Sequence, residues 1–267
     1  MVMPIDLVLV RHGESEANIV QKQNKLDTEN YEFPTNFSSR HDSRMRLTEK
    51  GVQQAEKAGE WLREHELAEF SDYYVSPHLR TLETAGHLRL GGNWIRDDRW
   101  RERDWGEFGT ATIKERDTFY KRNLASRALS EWYWCPTGGE SLAAGVRLRF
   151  EDILDTLHRQ SGHGKVIAVV HGEMIRTAQF VIERMTPLQW EEMDDDEAYK
   201  MSNCQILHYT RKNPETGELT EKLQWRRSIS PWDSALSWND GQWTKIEPRT
   251  YSDEDLITEA DSLPRIF

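Results

Sequence analysis

The sequence predicts an α/β fold, a three-layer sandwich in which helices cover both faces of a mostly parallel central sheet. Three short, mostly apolar runs indicate strands that are buried on both faces, at residues 5–10, 72–75 and 166–170. Amphipathic segments of helical length separate these runs, and strands that alternate with helices usually lie parallel in one sheet. No internal repeat or low-complexity linker divides the 267 residues, so we expect residues 1–267 to form a single domain.

Start signals and apolar spacing predict the helices between these strands. Thr48 is the predicted N-cap of the first helix, which presents one apolar face to the sheet. Ser76 and Pro77 predict the start of the second, with serine as the N-cap and proline in the first turn. Apolar residues at helical spacing predict two more helices, over residues 142–160 and 174–185.

Two segments fall outside this alternating pattern. Residues 107–136 are polar and rich in aromatic side chains, which predicts a small helical cap inserted between core elements. A hairpin is predicted from residues 205–210 and 219–226, around a turn that contains Asn-Pro. Residues 228–267 then form a C-terminal tail that carries eight acidic residues, three basic residues and three tryptophans.

Composition and charge narrow the function classes. The chain has 35 Lys+Arg and 46 Asp+Glu, and the resulting net charge of −11 argues against general nucleic-acid binding. The first apolar run lacks a preceding basic segment and ends at Arg11, so neither a signal peptide nor a membrane span is predicted. The two cysteines, Cys135 and Cys204, are too few for a disulfide framework. No CxxC motif or Cys/His pattern with the spacing of zinc ligands occurs. These features indicate a cytoplasmic enzyme or binding protein without membrane association.

Polar residues follow each of the three predicted strands at the point where the strand ends, at residues 11–15, 76–80 and 171–173. In such sheets, ligands gather outside the carboxyl ends of the strands, where helix N-termini offer free N–H groups to an anion. Two arginines and two histidines that converge there would form an oxyanion site. A neutral imidazole in such a site can attack phosphorus while the arginines hold the equatorial oxygens.

Six motifs occur in a fixed order along roughly residues 5–210. They are residues 9–15 with Asn18, then segments within 47–55, 76–84, 101–106, 139–141 and 170–172. In this order and spacing, the chain resembles the histidine phosphatase superfamily, also called phosphoglycerate mutase-like, and within it the phosphatase branch. The resemblance implies the fold of that superfamily over the whole domain and phosphoryl chemistry at the strand ends.

The resemblance implies a role for each matched catalytic residue. His12 is the expected nucleophile, which becomes phosphorylated on nitrogen. The phosphate pocket is expected to be completed by Arg11, Arg80 and His171. Glu102 matches the proton donor and acceptor of the superfamily, which protonates the leaving oxygen and later activates water.

Three further residues are expected to bind the substrate, namely Asn18, Ser15 and Gly172. Glu173 adds a carboxylate close to this pocket, and we expect its side chain to point to solvent. Because the arginines supply the positive charge, the resemblance implies neither a metal nor another cofactor.

The leading hypothesis is a metal-independent phosphomonoesterase that acts on small phosphorylated metabolites through a phosphohistidine intermediate. The alternative is phosphoryl transfer of the phosphoglycerate mutase type, which needs a water-poor site covered by the cap and the tail. The mutases' substrate-binding insertion has no close match here, and residues 136–141 are closer to the broad-specificity phosphatases. A catalytically silent phosphate-binding module is a third hypothesis, and the complete catalytic set argues against it. The substrate and the existence of a homo-oligomer stay open.

Tryptophan is abundant, with 11 residues in the chain. Four tryptophans fall in or beside the predicted cap, and three fall in the tail. We expect these seven to form an aromatic wall or lid near His12: Trp100, Trp105, Trp132, Trp134, Trp232, Trp238 and Trp243.

Overall fold

The computed structural model describes residues 2–65, 67–196 and 199–267, which form one central sheet of seven strands. In chain order the strands are β1 (Asp6–Arg11), β2 (Asp72–Val75), β3 (Trp94–Arg96), β4 (Lys165–Val170), β5 (Ile206–Thr210), β6 (Trp225–Ile229) and β7 (Thr244–Lys245). Their order across the sheet is β3-β2-β4-β1-β5-β6-β7.

The two halves of the sheet differ in strand direction. β1, β4, β2 and β3 run parallel to one another. β5 pairs antiparallel with β1, and β6 and β7 extend that edge in further antiparallel pairs. The predicted α/β sandwich is confirmed, and its parallel half contains the three strands found in the sequence. Since parallel strands end at the same edge, the polar residues that follow β1, β2 and β4 are brought together.

Nine helices surround this sheet in the described ranges, and none of them is both long enough and apolar enough to cross a bilayer. They are α1 (Glu16–Leu26), α2 (Glu49–Glu64), α3 (Leu79–Leu88), α4 (Ile113–Phe119), α5 (Lys121–Arg127), α6 (Arg147–Gln160), α7 (Gly172–Ile182), α8 (Pro187–Asp195) and α9 (Asp253–Asp261).

The core lies on both faces of the sheet, as the continuous apolar pattern of β1 requires. Successive side chains of a strand point to opposite faces. Leu7 and Leu9 accordingly pack in one cluster with apolar residues of α6 and α7. Val8 and Val10 pack in a second cluster with those of α2 and α3. Both faces are therefore buried, and the strand needs no polar side.

The starts of two predicted helices are corrected by the structure. Helix α3 begins at Leu79, with His78 at the N-cap position, instead of at Ser76. The Ser76 hydroxyl lies 2.7 Å from Nε2 of His171, so it hydrogen-bonds to a residue distant in sequence and does not cap the helix. Residues 142–160 begin with a π-helical turn, Leu142–Val146, before α6.

The predicted hairpin and tail also have different boundaries. The partner of β5 is β6, in a register that pairs Thr210 with Trp225, so residues 219–226 are not the second strand. Leu219 instead forms an isolated bridge with Lys212, which closes the long connection. The segment 228–267 starts inside β6 and adds β7 to the sheet edge, and its buried residues are Ser228, Ile229 and Ser230.

Candidate active site

Two histidines lie side by side where β1 and β4 end. The backbone N–H of His12 donates to the carbonyl of Val170 (3.0 Å), which ties the residue after β1 to the end of β4. His171 occupies the N-cap position of α7, and its ring centroid lies 5.2 Å from that of His12 in an edge-on arrangement. Both side chains are almost fully buried.

The surroundings of His12 place the lone pair of its neutral ring on Nε2. Nδ1 lies 2.7 Å from the carbonyl oxygen of Gly13, which can only accept, so Nδ1 carries the proton of the neutral ring. Burial, and then the charges of Arg80 and Arg11, hold the pKa of His12 well below its ordinary value. The ring is therefore neutral at neutral pH, and Nε2 accepts a hydrogen bond from Nε of Arg80 (3.2 Å).

His171 is oriented from behind by Ser76. The Ser76 hydroxyl and Nε2 of His171 share a hydrogen bond of 2.7 Å, which leaves Nδ1 as the other nitrogen of the ring. That Nδ1 is buried and has no hydrogen-bond partner within the described part of the chain. Burial, and then the charge of Arg80, lowers the pKa of His171 well below its ordinary value. His171 is thus a neutral imidazole beside His12.

Two buried guanidinium groups supply positive charge at this point. Arg11 donates through Nη1 to the carbonyl of Met201, while its Nε is buried without a hydrogen-bond partner among the described residues. Arg80 is 4% exposed and lies against both His12 and Asp42. An unpartnered buried N–H group costs free energy unless a ligand accepts from it, so Arg11 is suited to binding an anion.

Glu102 is a carboxyl group poised for proton transfer. Its Oε1 accepts from the backbone N–H of Arg103 (2.9 Å), and it faces the same cavity as His12. Burial, and then the neighbouring carboxyl of Glu173, raises the pKa of Glu102 to about 7. Near neutral pH this group is therefore present in both its protonated and its ionised forms, as a general acid and base requires.

The structure overturns the expectation that Glu173 points to solvent. Glu173 lines the cavity, and its Oε2 is buried without a hydrogen-bond partner in the part of the chain described. Burial raises its pKa as well. Glu173 lies in the first turn of α7, directly after β4, so the strand-end rule that located His171 also applied to it.

A cavity of about 410 Å³ opens over the two histidines. Of the eight residues predicted for the site, seven line it: Arg11, His12, Ser15, Asn18, Arg80, Glu102 and Gly172. His171 lies behind this wall and contacts His12. The structure thus brings the predicted residues together, while their chemical roles stay predictions.

Ser15 and Asn18 line the cavity and are also hydrogen-bonded to each other. Ser15 is fully buried, and its hydroxyl caps α1 in a reciprocal arrangement with Asn18. Oδ1 of Asn18 accepts from the backbone N–H of Ser15 and from Nδ2 of Asn203, both over 3.1 Å. With its oxygen so engaged, Asn18 has its amide nitrogen left to donate to a ligand.

Several cavity residues were missed from the sequence. They come from the segment before α2, from the cap and from the position after Glu102, and they include Asp42, Phe37, Arg103, Phe108, Arg116 and Arg127. Arg103 lies within a matched motif, whereas no local pattern marks the others, because they reach the cavity from elements that are distant in sequence. Asp42 contacts a predicted catalytic residue through its side chain, namely Arg80.

The expected tryptophan wall is wrong. Of the seven tryptophans, Trp105 alone lines the cavity. Trp100 and Trp132 are 1% and 2% exposed and pack in the core, where Trp132 stacks on Phe180. The tail tryptophans contact other parts of the surface, as Trp243 does with His208. Large rings are stabilised most by complete burial, and tertiary packing placed these in the core and along the sheet edge.

Comparison with known protein families identifies the superfamily of this chain. A family model described as the histidine phosphatase superfamily (branch 1) matches residues 7–221. The chain belongs to this superfamily. Histidine phosphatase superfamily members are phosphatases and mutases, so the protein is assigned to a class of phosphoryl-handling enzymes.

Individual relatives within the superfamily are distant. A 2,3-bisphosphoglycerate-dependent phosphoglycerate mutase of Allorhizobium ampelinum is 26% identical over 189 residues, which cover 68% of this chain and 82% of the relative. The phosphoglycerate mutase-like protein AT74 of Arabidopsis thaliana is also 26% identical, over 97% of this chain and 87% of its own length.

Solved structures share the histidine phosphatase fold at low sequence identity. A putative alpha-ribazole-5'-P phosphatase from Escherichia coli is 16% identical with a TM-score of 0.61, covering 82% of this chain and 96% of the other. Mycobacterial glucosyl-3-phosphoglycerate phosphatase in complex with VO3 is 23% identical with a TM-score of 0.57, covering 77% and 90%. These likenesses support the fold and carry no information on substrate.

Proposed function

We propose that the protein is a metal-independent phosphomonoester hydrolase that forms a phosphohistidine intermediate on His12. The arrangement that carries this proposal is the neutral His12 ring, whose Nε2 lies 3.2 Å from Nε of Arg80 in the cavity that Glu102 also lines. A nucleophile, an anion-binding cation and a proton-transfer group are thus together at one point.

In the first step, Nε2 of His12 attacks the phosphorus atom of the ester. The nitrogen–phosphorus bond forms as the bond to the ester oxygen breaks, and protonated Glu102 gives its proton to the leaving oxygen to release the alcohol. Arg11 and Arg80 stabilise the negative charge on the phosphoryl oxygens in this step. The burial of Arg80 and of the Nε atom of Arg11 strengthens that interaction relative to water.

In the second step, ionised Glu102 takes a proton from a water molecule, whose oxygen attacks the phosphorus atom. The nitrogen–phosphorus bond breaks, inorganic phosphate leaves, and His12 returns to its neutral form with Glu102 protonated again. A pKa of about 7 allows Glu102 to alternate between these two roles near neutral pH.

We favour hydrolysis over mutase-type transfer, because transfer needs a cover that keeps water out of the site. The segment 228–267, which is described throughout, contributes no residue to the cavity wall. The likeness to phosphoglycerate mutases keeps transfer as the second candidate.

The proposal is tested by trapping the intermediate with a phosphorus-labelled ester. We expect an acid-labile, alkali-stable label on the wild type, none on His12→Ala, and normal labelling of His163→Ala, an exposed histidine outside the cavity. Equal labelling of the wild type and His12→Ala would contradict the assignment of the nucleophile. Activity that is lost with a chelator and restored by a divalent ion would contradict the metal-independent mechanism.

A panel of sugar phosphates, nucleotides and phosphopeptides, with His12→Ala as the blank, identifies the substrate class by phosphate release. Incubation with 3-phosphoglycerate separates the two candidate reactions. Free phosphate supports hydrolysis, whereas 2-phosphoglycerate supports mutase-type transfer.

A further inference from the structure

Asp42 forms a two-pronged ion pair with Arg80 at the wall of the cavity. Nη1 and Nη2 of Arg80 donate to Oδ1 and Oδ2 of Asp42 over 3.1 and 2.8 Å, and Nη1 also donates to the Asp42 carbonyl over 2.8 Å. Burial raises the pKa of Asp42, but the charge and hydrogen bonds of Arg80 outweigh this and leave the pKa below its ordinary value. The carboxylate is therefore ionised.

The segment that carries Asp42 is anchored on both sides. Before it, Arg40 pairs with Glu16 over 2.9 Å. After it, Met45 is buried in a small apolar cluster, and the backbone N–H of Leu47 donates to Oε2 of Glu83 over 2.8 Å. The Asp42 side chain is about half exposed, yet these flanking contacts fix the backbone from which it reaches Arg80.

The ion pair occupies one edge of the Arg80 guanidinium and leaves another free for the site. The five N–H groups of a guanidinium form two forks, one from Nη1 and Nη2 and one from Nε and Nη2. Asp42 takes the first fork, and Nε points at Nε2 of His12. The second fork consequently faces the place where a phosphoryl group on His12 would lie.

We propose that Asp42 is a positioning residue that holds the Arg80 guanidinium with its Nε edge toward the phosphoryl group. This inference rests on the proposed function, since it assigns the orientation of Arg80 a purpose in phosphoryl binding and transfer. Asp42 acts on the phosphoryl group through Arg80, because the carboxylate itself would repel a phosphate. A further neighbour of Asp42 is His78, whose Nδ1 lies 3.6 Å from Oδ2.

That repulsion makes the sign of the effect informative. If Asp42 merely occupied Arg80 as an internal anion, its neutralisation would free a cation and tighten phosphate binding. If Asp42 orients Arg80, its neutralisation lets the guanidinium turn away, and both phosphate binding and turnover weaken. Misplacement of a catalytic group by about 1 Å costs on the order of 100-fold in rate.

The test is a double-mutant cycle with Asp42→Asn and Arg80→Ala, read by kcat and KM on a phosphate ester and by calorimetric titration with inorganic phosphate. We expect Asp42→Asn to lower kcat by about 10- to 100-fold and to weaken phosphate binding. In the Arg80→Ala background, where Asp42 has no guanidinium to orient, the same change should neither lower kcat nor weaken phosphate binding. Asp42→Glu, which keeps the charge, should recover part of the loss.

Glu32→Gln is the matched control, because it removes the same charge from the same connecting segment at an exposed site outside this cavity. We expect its kcat and phosphate affinity to equal those of the wild type. Tighter phosphate binding by Asp42→Asn would overturn the inference, as would equal losses in both Arg80 backgrounds. Failure of the wild type to hydrolyse any ester would refute the proposed function alone, because the phosphate titrations would still decide the role of Asp42.

Discussion

Replacing Glu102 by glutamine tests two consequences of its carboxyl group, one for turnover and one for the stability of the fold. Glutamine keeps the shape of the protonated acid but cannot exchange a proton, so we expect turnover to fall by about 10²- to 10⁴-fold. The same change should stabilise the protein, because burial and then Glu173 raise the pKa of Glu102 and disfavour its ionised form in the folded chain. We therefore expect lost turnover together with gained stability.

The gain in stability depends on pH in a defined direction. Below the ordinary pKa of 4.5, the Glu102 carboxyl is neutral in both the folded and the unfolded chain, so glutamine brings little advantage. Above about 7 it is ionised in both states, and the raised pKa then costs the folded wild type at most about 3 kcal/mol. Between pH 5 and pH 8, the advantage of Glu102→Gln should grow by about 2.5 kcal/mol.

Urea unfolding of both proteins at several pH values between 5 and 8 measures this difference. Glu140→Gln is a control of opposite sign. Burial raises the pKa of Glu140, but hydrogen bonds and charge from Arg149 leave it below its ordinary value. Its ionised form therefore stabilises the fold above the unfolded pKa, so Glu140→Gln should lose a nearly constant amount of stability between pH 8 and pH 5, and this loss should shrink only below about pH 4.5.

A stability difference between Glu102→Gln and the wild type that stays constant from pH 5 to pH 8 would refute this reasoning. It would mean that the carboxyl group titrates alike in the folded and the unfolded chain. Glu102 would then lack the raised pKa on which its role as a general acid depends.

Two further variants, Glu173→Gln and Gly13→Ala, test the surroundings of the site, and Gly86→Ala is the control for the second. Glu173→Gln removes the carboxyl that helps to raise the pKa of Glu102, so the alkaline limb of the profile of kcat/KM against pH should move toward lower pH; an unmoved limb would exclude this coupling. Gly13→Ala would place a Cβ 2.4 Å from the carbonyl oxygen of Gly51, so we expect a lower melting temperature and lower activity. Gly86→Ala, in an exposed helical position with nothing within 4 Å, should instead leave activity intact and add about 0.5–1 kcal/mol of stability, and an equal loss in both would contradict the steric argument.

Much of the fold was accessible from local patterns. The apolar runs of β1 and β4 marked strands buried on both faces, because a parallel sheet covered by helices tolerates no polar side. Thr48 caps α2 as predicted, since its hydroxyl accepts from the backbone N–H of Gly51. The edge strand β3 was missed and the second strand of the hairpin was misplaced, because β3 has only three residues and β6 is mostly polar, so both carry weak apolar patterns.

The strand-end rule accounts for most of the candidate site. It predicted that His12, Arg80 and His171 converge, and in the structure both Arg80 and His171 lie against His12. The same rule could have included Glu173. Asp42 had no such signal, because it reaches Arg80 from a segment 38 residues away along the chain.

Local sequence was sufficient for the alternation of strands and helices and for the residues that meet at the carboxyl edge of the sheet, because both follow from short-range periodicity and from chain direction. Tertiary structure alone decided the pKa values of His12 and Glu102 and the orientation of Arg80. Each of these depends on burial and on charges from distant parts of the chain. It also placed Trp100 and Trp132 in the core, because the packing of several elements determines which rings are enclosed.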